Sequence, residues 1–184
     1  LPLRVCGLDD IPVIEAAAGR LHSLALDATG GVWSWGSGAS SQLGHGSEVQ
    51  QLCVPRRIQS LEGIVVVQVA AGGDASMTLS QAGRVYSFGQ GEAGTLGHDA
   101  LHCEPCPRRI ESLVEPVRSV AMGTFHALAV KVRGTAFWWG RHYGHHRRSA
   151  LDEIWPGLVR RSGEVPRPIP VCVPGTTVPM ETVV

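Results

Sequence analysis

Lysine is almost missing from this chain: Lys131 stands alone against fifteen arginines. Acidic and basic residues are equal in number at 16 each, so positive charge itself is not short, and codon bias explains the imbalance better than a special arginine surface. A net charge of zero leaves no electrostatic footprint for a dedicated nucleic-acid binder, so nucleic acid or chromatin as a partner draws no support from charge. A hydrophobic content of 43% does not favour a disordered chain. No apolar run reaches 18 residues, which excludes a membrane-spanning helix. No charged-then-apolar leader stands at the start, so a secretory signal has no support. The five cysteines are odd in number and lack framework spacing, which fits a reducing compartment, cytoplasm or nucleus.

What the chain has instead is turn chemistry and repetition. Its 23 glycines and 12 prolines suit a turn-rich β protein, and 184 residues suffice for one core. Gly19, Gly72 and Gly123 are spaced 53 and 51 apart, as are the aromatic-glycine pairs Trp35-Gly36, Phe88-Gly89 and Trp139-Gly140. Leu43-Gly44-His45 returns as Leu96-Gly97-His98, and "PRRIQSL" at 55 to 61 returns as "PRRIESL" at 107 to 113. "PLRVCGL" at 2 to 8 reads as an earlier copy of that last element and "PRPI" at 166 to 169 as a later one, after a longer gap.

Within each unit the apolar pattern has period two. "HSLAL", "SMTL" and "HALAV" each lead through a glycine turn into an aromatic run ending at Gly36, Gly89 or Gly140. A third run, "PVIEAAA", "IVVVQVAA" or "PVRSVAM", precedes the first glycine marker, and the "RRI" segments supply a short fourth strand after a loop placed at 37 to 54 in the first unit. Four antiparallel strands per unit of about fifty residues, tiled, is the sequence form of β-propeller blades. A sheet with two apolar faces must repeat, because only a neighbouring copy can cover each face. Small residues at 16 to 19, 70 to 73 and 121 to 123 suit strands crowded near an axis. Trp33, Trp35, Tyr86, Phe88, Phe137 and Trp139 are expected to fill the wider gaps between blades.

Ala17-Ala18-Gly19-Arg20-Leu21-His22-Ser23-Leu24-Ala25-Leu26, then Gly31 to Gly36, then Gln42-Leu43-Gly44-His45-Gly46, resemble the repeat of the regulator of chromosome condensation family. The resemblance covers residues 2 to about 140. It implies a seven-bladed propeller, of which this chain holds about three blades, so an incomplete propeller or a piece of a larger one is expected. It departs at Ala75, where the other units have His22 and His126, at Met122, and after Gly140, where the Leu-Gly element is missing. Residues 1–140 are expected to be propeller repeats and 141–184 a degenerate repeat end with a basic, proline-rich tail. An open end blade would leave ~400–600 Å² of apolar surface uncovered, so the isolated chain is expected to be marginal or self-associating.

Gly19, His22, Trp35, Gly36, Gly44, Gly72, Phe88, Gly89, Gly97, Gly123, His126, Trp139 and Gly140 are read as structural repeat positions. The histidines are expected to hold backbone groups at a strand start, since catalysis requires a unique constellation rather than a recurring one. His98, His102, Cys103 and Cys106 form H-x3-H-C-x2-C. Yet His98 belongs to the repeat, and adjacent ligands at 102 and 103 suit one tetrahedral ion poorly. No catalytic residue, metal or cofactor is therefore expected. "RHYGHHRR" at 141 to 148 concentrates charge beside an aromatic, making Arg141, His142, Tyr143, Arg147 and Arg148 the candidate partner-binding residues. The resemblance implies a non-enzymatic protein-interaction scaffold that binds a small GTPase or another protein; its alternative is guanine-nucleotide exchange on a Ran-like small GTPase.

Overall fold

The computed structural model describes residues 1–98, 100–141 and the backbone of Ile169–Val171. Among these residues twelve strands form three four-stranded antiparallel sheets. Blade 1 is β1 Val13–Ala18, β2 His22–Asp27, β3 Val32–Ser37 and β4 Gln51–Arg57. Blade 2 is β5 Val66–Gly72, β6 Ala75–Ser80, β7 Val85–Gly89 and β8 Glu104–Arg109. Blade 3 is β9 Val117–Met122, β10 His126–Lys131, β11 Ala136–Gly140 and β12 Ile169–Val171. The fold is all-β, an incomplete propeller of three blades, with strands in sequence order within every sheet.

Two expectations are corrected. The loop after β3 ends at Gln50, not 54, because Ser37 pairs with Gln51 and Gly36 with Leu52 across an irregularity in the register. Pro55 argues against a strand in this stretch, but a proline is tolerated on an outermost strand, where one side carries no ladder. Residues 2 to 8, read as an extra copy of the fourth-strand element, form no strand.

Packing between blades follows from side-chain alternation. Strand two of each blade points large residues toward the following blade: Leu24 and Leu26, then Met77 and Leu79. Its opposite face, toward the preceding blade, carries small ones: Ser76 and Thr78, then Ala127 and Ala129. The room left by those small residues is taken by the aromatic paired beside them, since Ser76 lies opposite Phe88 and Ala127 opposite Trp139. Phe88 packs with Leu24 and Leu26 of blade 1, and Trp139 with Met77 and Leu79 of blade 2. Trp35, in the first blade, is only half-buried. Leu128, in the third, is 39% exposed where its counterparts Leu24 and Met77 are fully buried.

The inner strands β1, β5 and β9 lie next to one another, and side chains tie them. Glu15 accepts a hydrogen bond from the Val69 N–H at 3.0 Å. One blade on, the Gln68 amide donates to the Val120 carbonyl at 3.0 Å and accepts from the Val120 N–H at 2.9 Å. An amide can satisfy both backbone groups; a carboxylate can satisfy only the donor.

Candidate functional site

At one end of the blades the turns between strands one and two meet the long loops between strands three and four. Close backbone approach governs this end. Arg20 N–H donates to the Gly73 carbonyl of the next blade at 2.8 Å, and a Cβ on Gly19 would collide with the His22 ring. A Cβ on Gly123 would likewise press on the His126 ring, with Cε1 at 2.7 Å. At Gly72, where Ala75 replaces the histidine, the space is filled instead by the Met122 and Gly123 carbonyls of blade 3. Gly36, Gly89 and Gly140 share a φ of +105°, +101° and +101° and sit against the backbone of their own first turn, a conformation that side chains resist.

His22 is buried, with Nε2 2.8 Å from the hydroxyl of Ser76 in blade 2. That hydroxyl gives its single proton to the Gln42 carbonyl at 2.8 Å, so His22 is the donor and carries its proton on Nε2. Its Nδ1 is buried and has no partner among the described residues. Burial pushes the imidazole pKa down from 6.5 to about 4, against a smaller upward pull from the Asp74 carboxylate. The expectation that His22 binds backbone is thus corrected: its partner is a side chain of the neighbouring blade. His126, in blade 3, is exposed.

The Leu-Gly-His elements are anchored by a serine of their own blade. Ser34 Oγ donates to the Leu43 carbonyl at 2.7 Å and lies 2.9 Å from His45 Nε2; Ser87 makes the same pair with Leu96 and His98 at 2.7 and 3.0 Å. Burial first, and the Arg56 guanidinium second, lower the His45 pKa to about 4; burial and then Arg108 lower that of His98. Gly44 lies against the Phe88 ring and Gly97 against Trp139, whose Nε1–H donates to the Thr95 carbonyl at 2.8 Å. In blade 3 the serine position is Trp138, and this is the unit in which no Leu-Gly-His follows.

Between blades 2 and 3 this end opens into a cleft lined by Asp74, Gln90, Glu92, Thr95, Thr124 and Arg141. Asp74 is buried and takes a two-pronged ion pair from Arg20 Nε and Nη2. Arg141 is exposed at the rim, its N–H donating to the Phe125 carbonyl at 2.7 Å. His142, Tyr143, Arg147 and Arg148 lie outside the described residues, so of the candidate partner-binding group only Arg141 has a place in the geometry. The zinc-like cluster is dispersed: His98 Nε2 belongs to Ser87, and His102 Nε2 faces Glu104 at 3.2 Å. Among the described residues no three His, Cys, Asp or Glu side chains are grouped to hold an ion. Among them, too, no helix is long and apolar enough to cross a membrane. Sequence reasoning missed Ser34, Ser87, Ser76, Asp74, Gln42 and Thr95. A usable signal existed for Ser34 and Ser87, which stand at one repeat position and are lost together with the Leu-Gly-His element.

Known proteins share this arrangement. The chain is 37% identical over 129 residues to the human "Probable E3 ubiquitin-protein ligase HERC3", covering 70% of this chain and 12% of that protein. It is 33% identical over 188 residues to the zebrafish (Danio rerio) "Protein RCC2 homolog", covering 86% and 37%. The structure of Prp20p from Saccharomyces cerevisiae superposes with a TM-score of 0.69 at 25% identity, covering 89% of this chain and 39% of that one. The chain therefore spans well under half the length of these relatives. The profile described as "Regulator of chromosome condensation (RCC1) repeat" matches residues 29–79 and 82–130, and a second profile so described matches 13–42. Each longer match starts in the hairpin of one blade and ends in the second strand of the next, so the sequence unit straddles two sheets. On these matches, the blade packing and the recurring His, Gly and aromatic geometry, the chain belongs to the regulator of chromosome condensation (RCC1) repeat family.

Proposed function

We propose that this chain is a protein-docking module without catalytic chemistry of its own, and that its partner contacts the turn-and-loop end between blades 2 and 3. The observation that carries this reading is the cleft itself. Rigid, interlocked blades hold a carboxylate, hydroxyls and the Arg141 guanidinium on loops whose sequences differ from unit to unit, the arrangement by which repeat scaffolds acquire specificity. The segment that begins at Arg141 and continues through His142, Tyr143, Arg147 and Arg148 supplies the basic and aromatic groups for the contact. Residues 1–140 form the propeller part of this proposal and 141–184 its partner-directed end, acting in cytoplasm or nucleus.

Prp20p from Saccharomyces cerevisiae is described with binding properties to Gsp1p and histones, and Kap60 has been solved bound to yeast RCC1 (Prp20). Those partners belong to those proteins, but they identify the proteins to test: a small GTPase, a histone and Kap60. Calorimetric titration of the chain with one of each is expected to give saturable binding to at least one. Replacing Arg141 by Glu is expected to weaken that binding about tenfold, the scale of an interface arginine. No binding to any of the three, or binding indifferent to Arg141, overturns the proposal.

A further inference from the structure

On the outer edge between blades 1 and 2, away from the cleft, an open wedge is lined by His45, Arg56, Arg57, Gln59, Ser60 and Cys106. Comparison with the next unit shows what is unusual about it. In blade 2 the corresponding arginines are neutralised: Arg108 Nη1 lies 2.6 Å from Glu104, and Arg109 Nε lies 3.5 Å from Glu111. In blade 1 the two carboxylate positions are occupied by Leu52, which pairs with Gly36 as Glu104 does with Gly89, and by Gln59, which replaces Glu111 in the repeated "PRRI" element. Arg56 and Arg57 consequently have no ion-pair partner among the described residues. The Asp27 carboxylate and the Arg57 guanidinium both lie against Gly31. That carboxylate is already committed to the Thr29 N–H and hydroxyl, the Gly31 N–H and the Trp33 indole.

We propose that this wedge receives a phosphorylated side chain of a protein partner. Two guanidiniums, the Ser60 hydroxyl and the Gln59 amide offer more donors than the two oxygens of a carboxylate can use, whereas a phosphate monoester presents three terminal oxygens and nearly two charges. A long nucleic-acid backbone is a poorer match, because the wedge offers two adjacent arginines rather than an extended basic track, on a chain of zero net charge. The proposal rests on the reading of the chain as an interaction module, but it uses a different surface and a different group of residues.

The test is a titration of the isotope-labelled 184-residue chain with blocked phosphoserine (N-acetyl, N-methylamide), observed by NMR at the arginine Nε–Hε and the Ser60 amide signals. Saturable shifts at Arg56, Arg57 and Ser60 are expected, with Arg108 and Arg109 unmoved. Gln59→Glu rebuilds the pairing of blade 2 without disturbing a buried group, and is expected to weaken binding about tenfold. The reverse change, Glu111→Gln with Glu104→Leu, is expected to make Arg108 and Arg109 respond. Absence of saturable shifts, equal binding of blocked glutamate, tighter binding of a short single-stranded oligonucleotide, or no effect of Gln59→Glu would each overturn the proposal. Because the probe is not a protein, failure here leaves the Arg141→Glu result intact, and failure there leaves these shifts intact.

Discussion

Three equivalent hairpin glycines allow the contact between blades to be weighed separately from the turn that makes it. Gly30, Gly83 and Gly134 join strands two and three of successive blades at φ of +85°, +74° and +93°. An alanine at any of them meets the left-handed penalty of about 1–2 kcal/mol. At Gly83 the new Cβ would also stand 2.6 Å from Pro116 Cβ and 2.8 Å from Pro116 Cα, atoms held by the backbone of blade 3. Forcing a methyl into so closed a place costs about 1–3 kcal/mol more. At Gly134 nothing lies within 4 Å. Gly134→Ala is therefore expected to lower stability by about 1–2 kcal/mol, and Gly83→Ala by about 2–5 kcal/mol. Gly30→Ala should fall between them, since Val65 Cγ1 at 2.9 Å can turn aside and the backbone atoms Val66 N at 3.0 Å and Val65 Cα at 3.1 Å press less closely than Pro116 does at Gly83. Urea unfolding with a shared m-value measures all three as shifts of midpoint. Equal losses at Gly83 and Gly134 would refute the reasoning, because they would mean that the blade 2 hairpin does not lie against blade 3.

Three further outcomes can be checked. Trp139→Phe removes the indole bond to Thr95 while keeping most of the ring, so a loss of about 1 kcal/mol is expected; Trp139→Ala is expected to cost about 3–5 kcal/mol, both read by the same urea midpoints. Stability should fall as pH drops from 6.5 toward 4. In that window unfolded His22 and His45 take up protons that the folded imidazoles, held at about 4, refuse. The slope is at most about 1.4 kcal/mol per pH unit for each histidine and fades to nothing over about one unit above 6.5, and an unchanged stability at pH 5 would contradict the buried, neutral state of His22. The outward face of blade 3, where Leu128 is 39% exposed, should drive self-association. Sedimentation mass is expected to rise with concentration and to rise less for Leu128→Asp, whereas a concentration-independent monomer would speak against it.

Period and turn chemistry make most of the architecture readable, and little of the lateral bonding. Gly36, Gly89 and Gly140 announce themselves because one backbone shape recurs at one spacing, and the alternation in "HSLAL" fixes which side chains face a neighbour. The partner of His22 does not announce itself: Ser76 lies 54 residues on, in another unit, and nothing local marks it. The ties from Glu15 and Gln68 are hidden for the same reason. β12, Ile169–Val171, begins at the last residue of the "PRPI" copy read at 166 to 169, although the longer interval after Gly140 breaks the spacing that locates β4 and β8. The unneutralised Arg56 and Arg57 look like ordinary repeat residues in the sequence. Only the strand register shows that Leu52 and Glu104 hold the same place beside them.

The unlike faces of each blade give the stack a direction. Leucine and methionine project one way and aromatic rings the other, so two blades fit head to tail; turned front to front they would set bulk against bulk. A unit duplicated in tandem thus arrives already shaped for the sheet before it and the sheet after it. Lengthening such an array requires only faithful copying, and a copy inserted in reverse would find no seat.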